Sequence, residues 1–115
     1  MYIQNLFSLV HVFIIVPFLL YCVSTGNNMS KFIKYALIAF GAFTMLFHGY
    51  RILSNPLTIS VIRIINWFHF IIIGPLLMYI GFTTPNTGAK YFDYLAIIAY
   101  SALIYHGYYL SKAYL

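Results

Sequence analysis

The stretches HVFIIVPFLLY at residues 11–21 and HFIIIGPLLMY at residues 69–79 decide the fold of this 115-residue chain. Each begins with a histidine, carries a proline six residues later and ends in a tyrosine. Sliding the chain against itself by 58 residues aligns the two stretches without a gap. The chain has only four histidines and four prolines, so matches of these two residue types are rarely due to chance and the alignment points to an internal repeat.

The same shift extends the match well beyond these stretches. It places HGY at 48–50 on HGY at 106–108. Between residues 11 and 50, 12 of 40 positions are identical to their shifted counterparts, where this composition would give about three by chance. The sequence therefore predicts a tandem duplication, with a first hairpin repeat at 1–57 and a second at 58–115.

The composition is that of an integral membrane protein. Apolar residues make up 63% of the chain and charged residues only 6%, whereas a soluble domain carries about 25% charged residues. The six Lys and Arg residues are scattered and Asp93 is the single acid, so we expect no nucleic-acid partner. The lipid bilayer is the partner that this composition implies.

Four apolar stretches are each close to the roughly 20 residues that a helix needs to cross a bilayer. They lie at about 5–24, 33–53, 58–82 and 91–111. The links between them are short and rich in turn residues, which makes sequential helices antiparallel. We therefore predict an all-α integral membrane protein whose four transmembrane helices form two tandemly duplicated antiparallel hairpins. A pseudo-two-fold axis along the membrane normal relates the hairpins in one compact domain, with both termini on the same side.

The chain's four histidines are predicted to lie at one depth. His11, His48, His69 and His106 are each about five residues inside the terminal edge of a span, which is roughly 7–8 Å into the hydrocarbon. We expect each hairpin to place its two histidines side by side, and the duplication to join all four in one layer. An unpaired polar group in lipid costs several kcal/mol, so the histidines should face inward and find partners. The available side-chain partners are Ser8, Thr44 and Asn66.

This layer has one favoured interpretation and three alternatives. The favoured interpretation is a structural, hydrogen-bonded layer that sets the register and rotation of the helices, without a cofactor. Alternatively, two opposed histidines could ligate haem b, or four imidazoles could hold Zn or Cu. Conduction of protons or ions through the layer is the third alternative.

Other residues are predicted to shape and anchor the spans. Small residues that allow close helix packing are Gly41, Gly49, Ala99 and Gly107. Matched prolines within the first and third spans, Pro17 and Pro75, predict a pair of kinks. Interface anchors are Tyr50, Trp67 and Tyr108.

The sequence carries no nucleophile-base pair, carboxylate dyad or phosphate-binding loop, so we expect no enzymatic activity. Our hypothesis is a structural or assembly component of a larger membrane-associated complex, in contact with other membrane, capsid or complex proteins. The bias toward Ile, Tyr, Phe and Asn is typical of AT-rich genomes. It favours a virion inner membrane or an organellar inner membrane as the location.

Overall fold

A computed structural model of the chain describes residues 3–54 and 60–115 and contains no strand within them. Four helices make up these residues. They are α1 (Ile3–Asn28), α2 (Lys31–Ser54), α3 (Val61–Thr83) and α4 (Ala89–Tyr114). The prediction of an all-helical protein is confirmed, and α1, α2 and α3 are each long and apolar enough to cross a membrane.

Three of the four predicted spans fall within these helices, and the third differs at its start. The predicted third span begins at residue 58, which lies outside the described residues. In the structure α3 begins at Val61, directly after Ser60. The Ser60 hydroxyl accepts a hydrogen bond from the Arg63 N–H at 3.3 Å and so caps the helix. The fourth helix, α4, is not among the three apolar ones, because seven of the chain's 12 tyrosines lie in it. A fourth membrane span therefore stays a prediction.

Helices α1 and α3 share an interruption that the sequence analysis did not foresee. Each contains a five-residue π-helical segment, His11–Ile15 in α1 and His69–Ile73 in α3. These segments are 58 residues apart and end just before Pro17 and Pro75, which are the second residues of the α-helical segments that follow. Proline has no N–H to donate at this point, and the π segment just before it shifts the backbone hydrogen bonds by one residue. The kinks predicted at Pro17 and Pro75 stay a prediction, and the structure places a π bulge just before each proline. Such bulges are frequent at functional sites.

The contacts of the chain divide it into two units. The first unit contains the residues up to Gly26 and those from Gly88 onward, so it pairs α1 with α4. Its buried apolar residues include Val16, Leu19, Cys22, Leu95 and Ala99.

The second unit, Asn27–Thr87, pairs α2 with α3. Three glycines let these two helices approach closely. A Cβ on Gly41 would lie 2.8 Å from the Gly74 carbonyl oxygen, and one on Gly81 would lie 3.1 Å from the Lys34 carbonyl oxygen. Leu37 and Leu77 are fully buried in the same unit. Close backbone approach is a main source of helix association in lipid, where burial of apolar surface provides no driving force between helices.

The loop ends of the second unit are tied together by hydrogen bonds. The Asn27 side chain donates to the Thr87 carbonyl at 2.9 Å and accepts from the Thr87 N–H at 3.0 Å. Lys34 donates its ammonium to the Thr84 carbonyl at 2.7 Å. The links after α1 and α3, which the sequence predicts to be rich in turn residues, are therefore held together by hydrogen bonds within this unit.

Candidate functional site

The first unit holds a histidine pair built from α1 and α4. The rings of His11 and His106 are stacked, with centroids 4.0 Å apart and planes inclined by 22°. His11 opens the π segment of α1, and its Nδ1–H donates to the Phe7 carbonyl at 2.7 Å. The Nδ1 of His106 is hydrogen-bonded to the hydroxyl of Ser8 at 3.0 Å. Ser8 is almost completely buried, so this hydrogen bond joins α1 to α4 away from the surroundings.

The second unit holds a histidine pair of the same design, built from α2 and α3. The rings of His48 and His69 are stacked at 4.1 Å with planes inclined by 25°. His69 opens the π segment of α3 and donates its Nδ1–H to the Ile65 carbonyl at 2.7 Å. The Nδ1–H of His48 donates to the Asn66 side-chain oxygen at 2.8 Å, and both residues are buried.

The two sites correspond residue by residue under the 58-residue shift. Ser8 corresponds to Asn66, His11 to His69, and His106 to His48. Even the edge-on aromatic neighbour is repeated, as Phe47 beside His48 and Tyr105 beside His106.

The expected pairing of histidines within each hairpin repeat is corrected by these contacts. The rings that stack are His11 on His106 and His48 on His69, so each pair joins one residue of repeat 1–57 to one of repeat 58–115. The physical reason is that α2 packs on α3 through glycines, and this brings together histidines from different repeats.

Hydrogen bonding restricts what these histidines can do chemically. A carbonyl oxygen can only accept, so His11 and His69 carry their proton on Nδ1 when neutral, and the ring lone pair is then on Nε2. Within the described residues, no buried side-chain nitrogen or oxygen lacks a hydrogen-bond partner. The fully buried side-chain atoms of both sites are therefore paired within the protein, as burial requires.

The stacking of the rings can be compared with the coordination that the predicted haem and metal ligands need. Two imidazoles that coordinate one haem stand on opposite faces of the macrocycle, whereas these rings lie face to face at 4.0 and 4.1 Å, with no space between them. Across residues 3–54 and 60–115, no group of three or more His, Cys, Asp or Glu residues is close enough to hold a metal ion. The arrangement is suited to joining helices and to passing a hydrogen bond between two elements.

The small residues expected to pack helices differ in their surroundings. Gly41 and Ala99 are buried. A Cβ on Gly49 would lie 3.1 Å from the Phe70 ring, so this glycine does meet a neighbouring helix. A Cβ on Gly107 would meet nothing within 4 Å among the described residues, and the packing role expected of Gly107 is not seen there.

The expected interface anchors and polar partners are also placed by the structure. Tyr50, Trp67 and Tyr108 are all exposed, as an interfacial role requires. Of the three expected polar partners, Ser8 and Asn66 contact histidines, whereas the Thr44 hydroxyl donates to the Phe40 carbonyl.

The π segments are the part of each site that sequence reasoning missed. In both copies the histidine stands six residues before the proline. That spacing is the signal that could have located the bulge, since the histidine carbonyl accepts the N–H of the residue directly before the proline.

Comparisons with known proteins assign no function, so a function can be inferred only from the geometry of these two sites. No protein-family model, no curated protein and no solved structure matches the chain.

Proposed function

We propose that this chain is a small, non-enzymatic, multi-pass membrane protein that acts as a structural or assembly component of a larger membrane-associated complex. One observation carries the proposal. In each histidine pair one ring is hydrogen-bonded through Nδ1 to a side chain of the other helix, His106 to Ser8 and His48 to Asn66, while the second ring bonds to a carbonyl of its own helix. Polar groups used in this way fix the rotation of one helix against another, which is the attested role of buried polar residues in helix pairs.

The proposal includes four membrane spans formed by two duplicated hairpins. The equivalence of the sites supports the duplication. His11 of the first repeat contacts His106 of the second, and His69 of the second contacts the matching His48 of the first. This reciprocity, in which residue i meets j and j meets i, is the contact pattern of a two-fold symmetric dimer. Two equivalent hairpins joined in one chain keep this reciprocal pattern of contacts.

The outward-facing side chains supply the surface for lipid and for partner proteins. Large apolar residues are exposed on all four helices, for example Phe13, Phe43, Ile64 and Ile104. Such a surface requires a bilayer or other membrane or capsid proteins against it. The proposed location is a virion inner membrane or an organellar inner membrane.

A native-gel experiment on detergent-extracted membranes tests the assembly role. The tagged chain should migrate as part of a complex of defined mass. A variant carrying both His48→Phe and His106→Phe keeps two aromatic rings but loses both interhelical hydrogen bonds, so its complex should dissociate at a lower detergent concentration. Ser24→Ala is the matched control, because Ser24 is exposed and bonds only to Tyr21 of its own helix. Migration of the wild-type chain as a monomer in the mildest detergent would refute the assembly role.

The optical spectrum of the purified protein tests the competing role of a haem- or metal-binding protein in redox chemistry or transport. A Soret band that disappears on replacing His11 and His69, or His48 and His106, would overturn the structural interpretation. Bound Zn or Cu that is lost in the same variants would do so too.

A further inference from the structure

Each histidine pair brings together two rings that can both take up a proton. The ring centroids of His11 and His106 are 4.0 Å apart, and those of His48 and His69 are 4.1 Å apart. Histidine is the side chain whose ordinary range of protonation, at about pH 6.5, lies closest to neutrality. Two separated histidines therefore change from mostly neutral to mostly charged when the pH falls from 7 to 5.

The hydrogen bonds of the pairs hold the rings against each other whether a ring is neutral or charged. The Nδ1–H of His11 donates to the Phe7 carbonyl at 2.7 Å, and that of His69 donates to the Ile65 carbonyl at 2.7 Å. A proton added to such a ring goes to Nε2, so the Nδ1–H bond is kept. A charged ring therefore stays beside its neighbour unless the helices themselves move apart.

A second proton on the same pair meets a strong repulsion. Two unit charges about 4 Å apart, at an effective dielectric constant of about 20, repel enough to weaken binding of the second proton roughly 1,000-fold. Two groups that interact this strongly take up their protons as a pair and not as independent residues. At pH 5 a stacked pair therefore holds at most one proton, whereas two separated rings hold close to two.

The first unit has no negative charge near its pair to offset this repulsion. Helix α1 contains no charged residue, and Asp93 precedes His106 on α4 by 13 residues, which is about 20 Å along the helix. The titratable neighbours of His106 on α4 are Tyr105, Tyr109 and Lys112. Tyrosine stays neutral in this pH range and lysine stays positive, so neither favours a second positive charge.

The second unit also lacks a counter-charge. Neither α2 nor α3 contains an Asp or Glu. Arg51 follows His48 by three residues, with its guanidinium carbon 5.9 Å from the centroid of the Phe47 ring. Arg63 precedes His69 by six residues, about 9 Å along α3. Both neighbours are cations, which add to the repulsion.

We propose that each stacked histidine pair is an acid-sensitive contact, which holds its two helices together when the rings are neutral and loosens them in acid. The stacked pair binds at least one proton fewer than the separated rings, so a fall in pH favours separation. Stability is therefore highest when all rings are neutral and declines below about pH 6.5, where separated histidines become charged. The inference adds control by pH to the structural role and holds whether or not the chain joins a larger complex.

Unfolding with a denaturing detergent at pH 6 and at pH 5, followed by circular dichroism in mixed micelles, tests the proposal. Each proton that the folded state excludes should raise the unfolding equilibrium constant about tenfold over this unit of pH. With one excluded proton for each pair, the wild-type constant should rise about 100-fold.

Two double variants that each keep two histidines separate the effect of the pair from that of single rings. His11→Phe with His69→Phe leaves one histidine in each unit and keeps the interhelical bonds of His106 and His48. Its unfolding constant should rise less than about threefold, because a lone ring takes up its proton without meeting a second charge. His11→Phe with His106→Phe leaves the second pair stacked, so a rise of about tenfold should remain.

The comparison of these two variants decides the matter. Equal pH dependence in both would show that each ring responds to its own surroundings and not to its neighbour, which overturns the proposal. A wild-type unfolding constant that is the same at pH 6 and pH 5 would overturn it as well. If His11→Phe with His106→Phe does not fold, His48→Phe with His69→Phe replaces it, since that variant leaves the first pair stacked.

Discussion

The two units of the molecule carry the same histidine site on different helix packing. In the second unit Gly41, Gly74 and Gly81 lie where α2 meets α3, and a Cβ on any of them would come closer than 3 Å to a neighbouring atom. The corresponding residues of the first unit are Ala99, Val16 and Val23. These residues carry side chains where the second unit has glycine. The stacked rings, at 4.0 and 4.1 Å, are nevertheless alike. The two histidine pairs therefore keep the same ring distance although the residues at the matching packing positions differ.

The two units also differ in the burial of the hydrogen bond that each histidine pair makes. In the second unit a buried Asn66 meets a buried His48, and in the first unit a buried Ser8 meets a half-buried His106. Breaking a hydrogen bond between two buried groups costs more free energy than breaking one with a partly exposed partner, because the exposed partner can bond to another group instead. The comparison suggests that the second unit is the more rigid half of the structure.

Substitution of glycine should give the largest difference between the units. Gly41→Ala places a methyl group 2.8 Å from the Gly74 carbonyl oxygen and 2.9 Å from the Met78 nitrogen, both backbone atoms, so α2 and α3 must separate. We expect a loss of about 1–3 kcal/mol in the free energy of unfolding. Gly107→Ala should instead stabilise the protein by about 0.5–1 kcal/mol, because the added methyl group meets nothing and alanine favours helix.

Unfolding of the purified protein in mixed micelles, followed by circular dichroism during titration with denaturing detergent, measures both glycine variants. Equal stability of Gly41→Ala and Gly107→Ala would contradict the close approach of α2 and α3.

Removal of the polar partners should give a smaller difference. Asn66→Ala leaves the Nδ1–H of His48 buried without its acceptor, and we expect a loss of about 1–2 kcal/mol. Ser8→Ala should cost about 0.6 kcal/mol, the average for an interhelical hydrogen bond in a membrane protein, because His106 is partly exposed. The same titration measures both, and a larger loss in Ser8→Ala would reverse the order of rigidity inferred for the two units.

Coupling between the stacked rings should be the smallest effect and nearly equal in the two units. A double-mutant cycle with His11→Ala and His106→Ala should give a coupling free energy of about 0.5 kcal/mol, and the cycle on His48 and His69 a similar value, because the stacking distances match. His11→Ala combined with Leu95→Ala serves as control, since Leu95 is on α4 about 16 Å along the helix from His106. Coupling in the control as large as in the histidine pairs would mean that the rings do not interact specifically.

Much of the architecture could be predicted from apolar length and turn residues. The four helices were expected where the structure has them, whereas the predicted depth of the histidines in a bilayer stays a prediction. Ser8 and Asn66 were recognisable as partners, because a polar side chain in an apolar span must be paired. The π segments were not predicted, since they arise from a shift of backbone hydrogen bonds by one residue that leaves no hydrophobic pattern.

The amino-acid sequence by itself determined the helices, the 58-residue correspondence and the positions of the four histidines along their helices. Which histidine meets which was decided only by tertiary structure. Position along a helix follows from local geometry, but the choice of neighbour depends on which helix surfaces fit together. Between α2 and α3 the helix surfaces fit together because glycines have no side chain to hold the two backbones apart. The sequence pattern alone therefore favoured pairs within a hairpin repeat, whereas packing joined His11 to His106 and His48 to His69.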